Sequence, residues 1–94
     1  MTPVWAPEAI DDLVALRAYI GEDDPAAAQR VAEHIVRSVE LLSDNPQRGR
    51  PGRVPGTREL VVSRTPFIVP YRVRGSTLQI LRVYHAARRW PERL

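Results

Sequence analysis

The stretch LRVYHAAR, residues 81–88, brings together the side chains best suited to chemistry. Tyr84 and His85 are adjacent, with Arg82 and Arg88 on either side. An imidazole titrates near neutrality and can accept or give a proton. RNA cleavage needs an activated 2′-hydroxyl, a neutralised phosphate and a protonated leaving oxygen. His85, Arg82 and Arg88 could supply that set. The same residues could instead form a basic patch that holds a partner.

Other chemistries find little support. There is no cysteine, so no disulfide framework and no thiolate metal site can form. His34 and His85 lie far apart and show no metal-ligand spacing, so neither metal nor cofactor is expected. The segment PQRGRPGRVPGT, 46–57, is rich in glycine and arginine but lacks the GK[ST] ending of a phosphate-binding P-loop. No apolar run approaches the ~20 residues of a membrane span, and no signal peptide opens the chain. A soluble cytoplasmic protein is expected, as one domain over residues 1–94. An apolar fraction of 44% argues for a folded chain over disorder.

Charge is segregated. All 14 basic residues are arginine. Residues 1–45 carry three arginines against nine acids, a net of −6, and residues 46–94 carry eleven against two, a net of +9. Arginine codon bias could explain the absence of lysine but not this division. The chain should therefore present one acidic and one basic surface, the latter attractive to nucleic acid or to an acidic protein.

These residues must be positioned by a small α+β framework. Val4 and Trp5 suit a short strand. Pro7 fits a first helical position, and Ala9, Leu13, Leu16 and Ile20 recur on one helical face that ends at Gly21. Ile10 and Val14 widen that face in a second direction. Asp24 can cap a second helix at Pro25. Its apolar stripe is Ala28, Val31, Ala32, Ile35, Val39 and Leu42, opposite a charged face of Arg30, Glu33, Arg37 and Glu40 spaced for ion pairs. The segment 46–57 reads as an irregular basic loop. Strands are expected at Glu59–Ser63, Phe67–Arg74 and Leu78–His85, with Gly75-Ser76 as a hairpin turn. Pro70 implies a bulge or an edge, since it cannot donate to a ladder. In the last strand, Leu78, Ile80, Arg82 and Tyr84 should share one face, and Gln79, Leu81, Val83 and His85 the other. The order β-α-α-β-β-β implies a helical hairpin packed on a small antiparallel sheet.

Taken together, PEAIDDLVALRAYI, DDPAAAQRVAEHI, RELVV, IVPYRV and ILRVYHAAR resemble, in order, the helices and C-terminal strands of the RelE/ParE family of bacterial type II toxins. The resemblance runs over nearly the whole chain. It implies a toxin neutralised by a co-expressed antitoxin whose C-terminal segment wraps the helices and sheet. The RelE branch cleaves messenger RNA on the ribosome. A ribonuclease of the YoeB type carries an arginine two residues before its VYRV segment and a tyrosine after its last-strand histidine. Ile68 and Ala86 occupy those places here. The pattern RVYHAAR is more similar to the ParE branch, which is associated with inhibition of DNA gyrase. Both helices have acidic or charge-paired exposed faces, which are poorly suited to repeated phosphate neutralisation on a ribosome.

The ParE-like reading implies no catalytic residue. Target binding is assigned to Arg88, Arg89, Trp90 and His85. Antitoxin binding is assigned to Ile10, Val14, Arg72 and Arg82. DNA is expected to be reached only through the antitoxin. Two alternatives stay open: a ribosome-dependent ribonuclease using His85, Arg82 and Arg88, and a non-toxic module acting as corepressor with its antitoxin. Simpler roles stand beside these. His34 reads as a surface histidine, Trp5 as core, and Tyr71 as a packing residue with its hydroxyl at the rim. Arg82 needs a structural partner, for which the C-terminal segment is a candidate.

Overall fold

Two prolines set where the helices begin. The computed structural model describes residues 1–87. Strand β1 (Pro3–Trp5) leads into helix α1 (Pro7–Gly21), which has Pro7 in its first turn and no side-chain cap from Ala6. Helix α2 (Pro25–Glu40) starts on Asp24, whose Oδ1 accepts the Ala27 N–H at 3.0 Å. A Ser, Asp or Asn in this role typically contributes about 1 kcal/mol. The two amphipathic helices form the expected hairpin, and a 3-10 turn (Leu41–Ser43) follows. Among the charges on α2, no ion pair within 4 Å forms between Arg30, Glu33, Arg37 and Glu40. Gln29 ties the hairpin instead, accepting from Arg17 at 2.8 Å and donating to Glu33 at 2.7 Å.

The remaining strands are β2 (Arg50–Pro51), β3 (Arg58–Val61), β4 (Phe67–Arg74), β5 (Thr77–Ile80) and β6 (Tyr84–His85). The sheet runs β1-β5-β4-β3-β2, with β6 added to β4 beyond the end of β5. Two features depart from the sequence reading. The sheet is mixed, because β1 pairs parallel with β5, Val4 facing Gln79. The long connection through both helices permits that direction. The loop 46–57 also contains a strand, since Arg50 and Pro51 pair with Glu59 and Arg58. Gly52 N–H closes the turn on Thr57 O at 2.8 Å. A Cβ on Gly52 would sit 2.1 Å from Thr57 Oγ1, so only glycine fits this close return.

The core lies between the helices and one face of the sheet. Ala9, Leu16, Ile35, Val39 and Leu42 pack against Leu60, Phe67, Val69, Tyr71, Leu78, Ile80 and Val83. Trp5, Leu13, Ile20 and Val31 close its edges, partly buried. This is the burial expected of the two helical stripes except at Ala32, which is only partly buried and lies outside this core, with Trp5 at the margin.

The last strand is broken, and Pro70 explains how. Tyr71 faces Ile80 and Ile68 faces Tyr84, so three steps along β4 oppose four along the returning chain. One extra residue between Ile80 and Tyr84 makes a β-bulge. Leu81 N–H donates to Pro70 O at 3.0 Å, but Pro70 has no N–H to return. The bulge that Pro70 implied is thus present. It overturns the strict alternation expected for residues 78–85. Val83 joins the helix-facing row of Leu78 and Ile80 in the core. His85 faces Phe67 on that same side, while Tyr84 pairs with Ile68 on the other.

Candidate functional site

The bulge exposes backbone groups, and α1 captures one. Asp12 Oδ2 accepts Val83 N–H at 2.9 Å and Arg82 Nε at 2.7 Å, while Oδ1 accepts Arg82 Nη2 at 2.9 Å. This two-point guanidinium–carboxylate geometry is the strong form of the pair. The guanidinium also lies 4.7 Å from the Tyr84 ring centroid. Hydrogen bonding to Asp12 is the main reason the Arg82 pKa is raised above its ordinary value, with burial opposing it. The structural partner of Arg82 among the described residues is therefore Asp12. From the sequence, Asp12 is only an acid suited to the start of a helix.

This clasp sets the direction of His85. Its ring meets Phe67 edge-on, with centroids 5.7 Å apart and planes at 84°. Its Nδ1 accepts Ala87 N–H at 3.2 Å. The imidazole is exposed at the mouth of a small cleft of about 200 Å³, bordered by Asp12, Leu16, Tyr19, Phe67 and Val83. Asp12 is already occupied by Arg82, so it is poorly placed to serve His85 as a base partner. The position two residues before PYRV, Ile68, is buried. Arg88, Arg89 and Trp90 lie outside the described residues. The structure thus brings Arg82, Tyr84 and His85 together, with Arg82 turned toward α1.

A second surface lies between the helices. Ile10 and Val14 are 47% and 62% exposed, as their position off the main stripe implied. Val14 borders an open groove of about 420 Å³, whose apolar floor continues through Leu13, Ala32 and Val36. Arg17, Glu33, Arg37 and Glu40 form a charged rim of both signs. An apolar trough with a polar rim suits an amphipathic segment.

The third surface is the sheet face away from the helices. Glu59, opposite Pro70, is only 2% exposed. It accepts from Arg50 Nη2 at 3.0 Å and from the Arg53 backbone N–H at 2.8 Å. Arg72 donates to Gln79 Oε1 at 2.7 Å. Tyr71, from the opposite face, anchors the loop leading to β2. Its hydroxyl donates to Pro46 O at 2.7 Å and accepts Gly49 N–H at 2.8 Å. The hydroxyl is therefore buried and not at the rim, and burial pushes its pKa up, with Gly49 and Arg58 pulling the other way. His34 also acts locally, since its Nε2 is 2.8 Å from Ser63 O and ties α2 to the β3–β4 turn. Nothing in the sequence marked Glu59 or Gly49, because their partners are set by strand register. Among the described residues, no group of three His, Cys, Asp or Glu side chains could hold a metal ion. No helix there is long and apolar enough to cross a membrane.

A helical hairpin laid on a mixed sheet with a bulged last strand defines a two-layer α+β domain of the RelE/ParE toxin type. A solved chain of the chromosomal ParDE TA system from P. aeruginosa superposes with a TM-score of 0.81 at 38% identity, covering 90% of this chain and 95% of that one. Toxin RelE2 of Caulobacter vibrioides is 41% identical over 85 residues, 90% of this chain and 94% of its own. Y4kP of Sinorhizobium fredii, named as a toxin, is 44% identical over 88 residues, 94% and 91% of the two chains. Residues 4–90 match the family model of the ParE toxin of type II toxin–antitoxin systems, parDE. The chain belongs to this ParE toxin family.

Proposed function

We propose that the chain is a toxin that inhibits DNA gyrase and is neutralised by a co-expressed antitoxin seated on its helices. The observation that carries the target is the match to the ParE toxin family over residues 4–90. The chemistry of the bulge supports it. A nuclease site needs a phosphate clamp beside its acid and base. Arg82 is held by Asp12, and the two YoeB-type positions carry Ile68 and Ala86. His85, Arg88, Arg89 and Trp90 are proposed to meet the target, the last three by their place in the sequence. The test is purified toxin assayed for gyrase supercoiling and, separately, for cleavage of ribosome-bound messenger. Loss of supercoiling with cleaved, gyrase-bound DNA and intact messenger is expected. Codon-dependent cleavage of messenger with normal supercoiling defeats the reading. The name RelE2, carried by a 41% identical relative, favours that ribonuclease as the second reading.

The antitoxin segment is proposed to lie in the groove of Leu13, Val14, Ala32 and Val36 and to cover Ile10. Its acidic part is proposed to reach Arg72 and the exposed side of Arg82, which keeps 30% of its side-chain surface.

A further inference from the structure

The charge division of the sequence becomes a division between layers. Residues 46–87 hold eight arginines and one acid, and that acid, Glu59, is buried. Cross-strand partners share a face, so Arg50, Glu59 and Pro70 lie together. Alternation along β4 adds Arg72 and Arg74 to the same side, away from the helices.

The loop that supplies Arg48, Arg50 and Arg53 is held in place. Tyr71 bonds Pro46 and Gly49, and a Cβ on Gly49 would come 2.6 Å from the Tyr71 ring and hydroxyl. Glu59 orients Arg50 and Arg53 without hiding them, since their side chains stay 51% and 47% exposed. Holding the backbone in advance lowers the ordering cost of binding.

The face lacks what other partners require. Beyond the acidic antitoxin segment proposed at Arg72, a protein partner would need a cluster of well-packed anchors in a desolvated patch. Among the described residues, the exposed large apolar side chains on this face are Val4 and Val61, which β5 and β4 separate. A single strand of nucleic acid needs exposed aromatic rings for stacking. Tyr84, the aromatic residue on this side among those described, is 2% exposed. Spread, sequence-neutral guanidinium groups fit a regular polyanion.

We propose that this face binds the sugar–phosphate backbone of double-stranded DNA directly and without reading sequence. This differs from the expectation that DNA is reached only through an antitoxin, and it does not depend on which target the toxin inhibits. Arg74 on β4 and Arg48, exposed in the anchored loop two residues before Arg50, are the informative positions. Their side chains make no hydrogen bond or ion pair among the described residues, and they lie outside the proposed antitoxin contacts. The experiment follows binding of the full-length toxin to a short labelled duplex by fluorescence anisotropy, between about 50 and 200 mM salt. The logarithm of affinity should fall linearly with the logarithm of salt. Arg48→Ala and Arg74→Ala should each reduce the slope by about 0.9, the loss of one phosphate contact. Arg30→Ala and Arg37→Ala on α2 remove equal charge and should leave the slope unchanged. Arg48→Glu/Arg74→Glu should nearly abolish binding, with circular dichroism confirming the fold. Equal effects from the α2 variants would reduce the binding to overall charge and overturn the proposal. So would tighter, equally Arg48- and Arg74-dependent binding of single-stranded DNA, duplex RNA or a polyglutamate peptide.

Discussion

Asp12 on the first helix holds Arg82 at the sheet's bulge by two hydrogen bonds of 2.7 and 2.9 Å, across 70 residues of sequence. The same carboxylate takes the Val83 N–H that the bulge releases. One side chain therefore joins the two layers and fixes the approach to His85. Asp12 is 12% exposed and Arg82 30%, so the pair is only partly screened by water. Asp12→Asn removes the charge and leaves one acceptor for three donors. The variant should lose about 2 kcal/mol of stability in urea unfolding. The double variant Asp12→Asn/Arg82→Gln should be more stable than the sum of its parts implies, with a coupling above about 1 kcal/mol. Strict additivity would show that the clasp contributes nothing of its own.

The parts of this arrangement differ in how clearly the sequence carries them. Both helix starts were legible because proline and Asp24 act locally. Strand β4 was legible from Phe67 to Arg74 because its flanks carry turn residues. Pro70 marked the bulge, since a missing N–H is also local. The position of the extra residue was not readable, because it depends on pairing with a second strand. Strict alternation therefore misplaces Val83, Tyr84 and His85, whereas Arg82 does reach the helix side, where it meets Asp12. The Asp12–Arg82 and Tyr71–Gly49 contacts join residues distant in sequence, and no spacing rule reaches them. Strand β2 was hidden in a proline- and glycine-rich segment whose pairing is fixed by turn closure at Gly52 and Thr57. Of the three candidate surfaces, the exposed Ile10 and Val14 were readable from helical periodicity alone.

Tyr71 should give the fold an alkaline limit. Its pKa is raised in the folded state, chiefly by burial, so folding favours the neutral phenol. An unfolded tyrosine titrates near pH ~10. The contribution is then fully present below about pH 10 and is lost as pH rises toward the higher folded value. Tyr71→Phe should flatten this slope in unfolding experiments above about pH 10. At neutral pH it should cost about 1–3 kcal/mol, because Gly49 N–H and Pro46 O lose their partner. An unchanged alkaline slope in the variant would assign the limit to another group.

Gly49 offers an independent check on the same anchor. A Cβ there would lie 2.9 Å from Glu59 O as well as against Tyr71, and the backbone oxygen cannot move aside cheaply. Gly49→Ala should destabilise by about 1–3 kcal/mol, as overpacking of a tight site does. Thermal unfolding read by circular dichroism measures it, and an unaltered midpoint would mean that the loop relaxes freely.

Val14 separates partner binding from folding. It is 62% exposed, so a carboxylate at this site is solvated in the free toxin and the fold should change by less than about 0.5 kcal/mol. In a complex it would be buried against an apolar segment. Val14→Glu should therefore weaken antitoxin binding by at least about tenfold, measured by calorimetry, with the same Tm for free toxin. Unchanged affinity would place the antitoxin elsewhere.

His85 and the two arginines that follow it decide whether the bulge is catalytic. If His85 moved protons, His85→Gln would remove about 100- to 10,000-fold of the rate. As a binding residue packed on Phe67, it should lose much less, because glutamine keeps a polar group of similar reach. His85→Gln is therefore expected to remain at least partly toxic. Arg88→Ala/Arg89→Ala should abolish toxicity while the protein stays folded and still binds its antitoxin. Growth arrest on induction measures both, with circular dichroism and antitoxin affinity as controls. A folded but wholly harmless His85→Gln, beside a toxic double variant, would make residues 81–88 a catalytic strand. Retained toxicity in His85→Gln, beside a harmless double variant, would instead assign the working chemistry to Arg88 and Arg89.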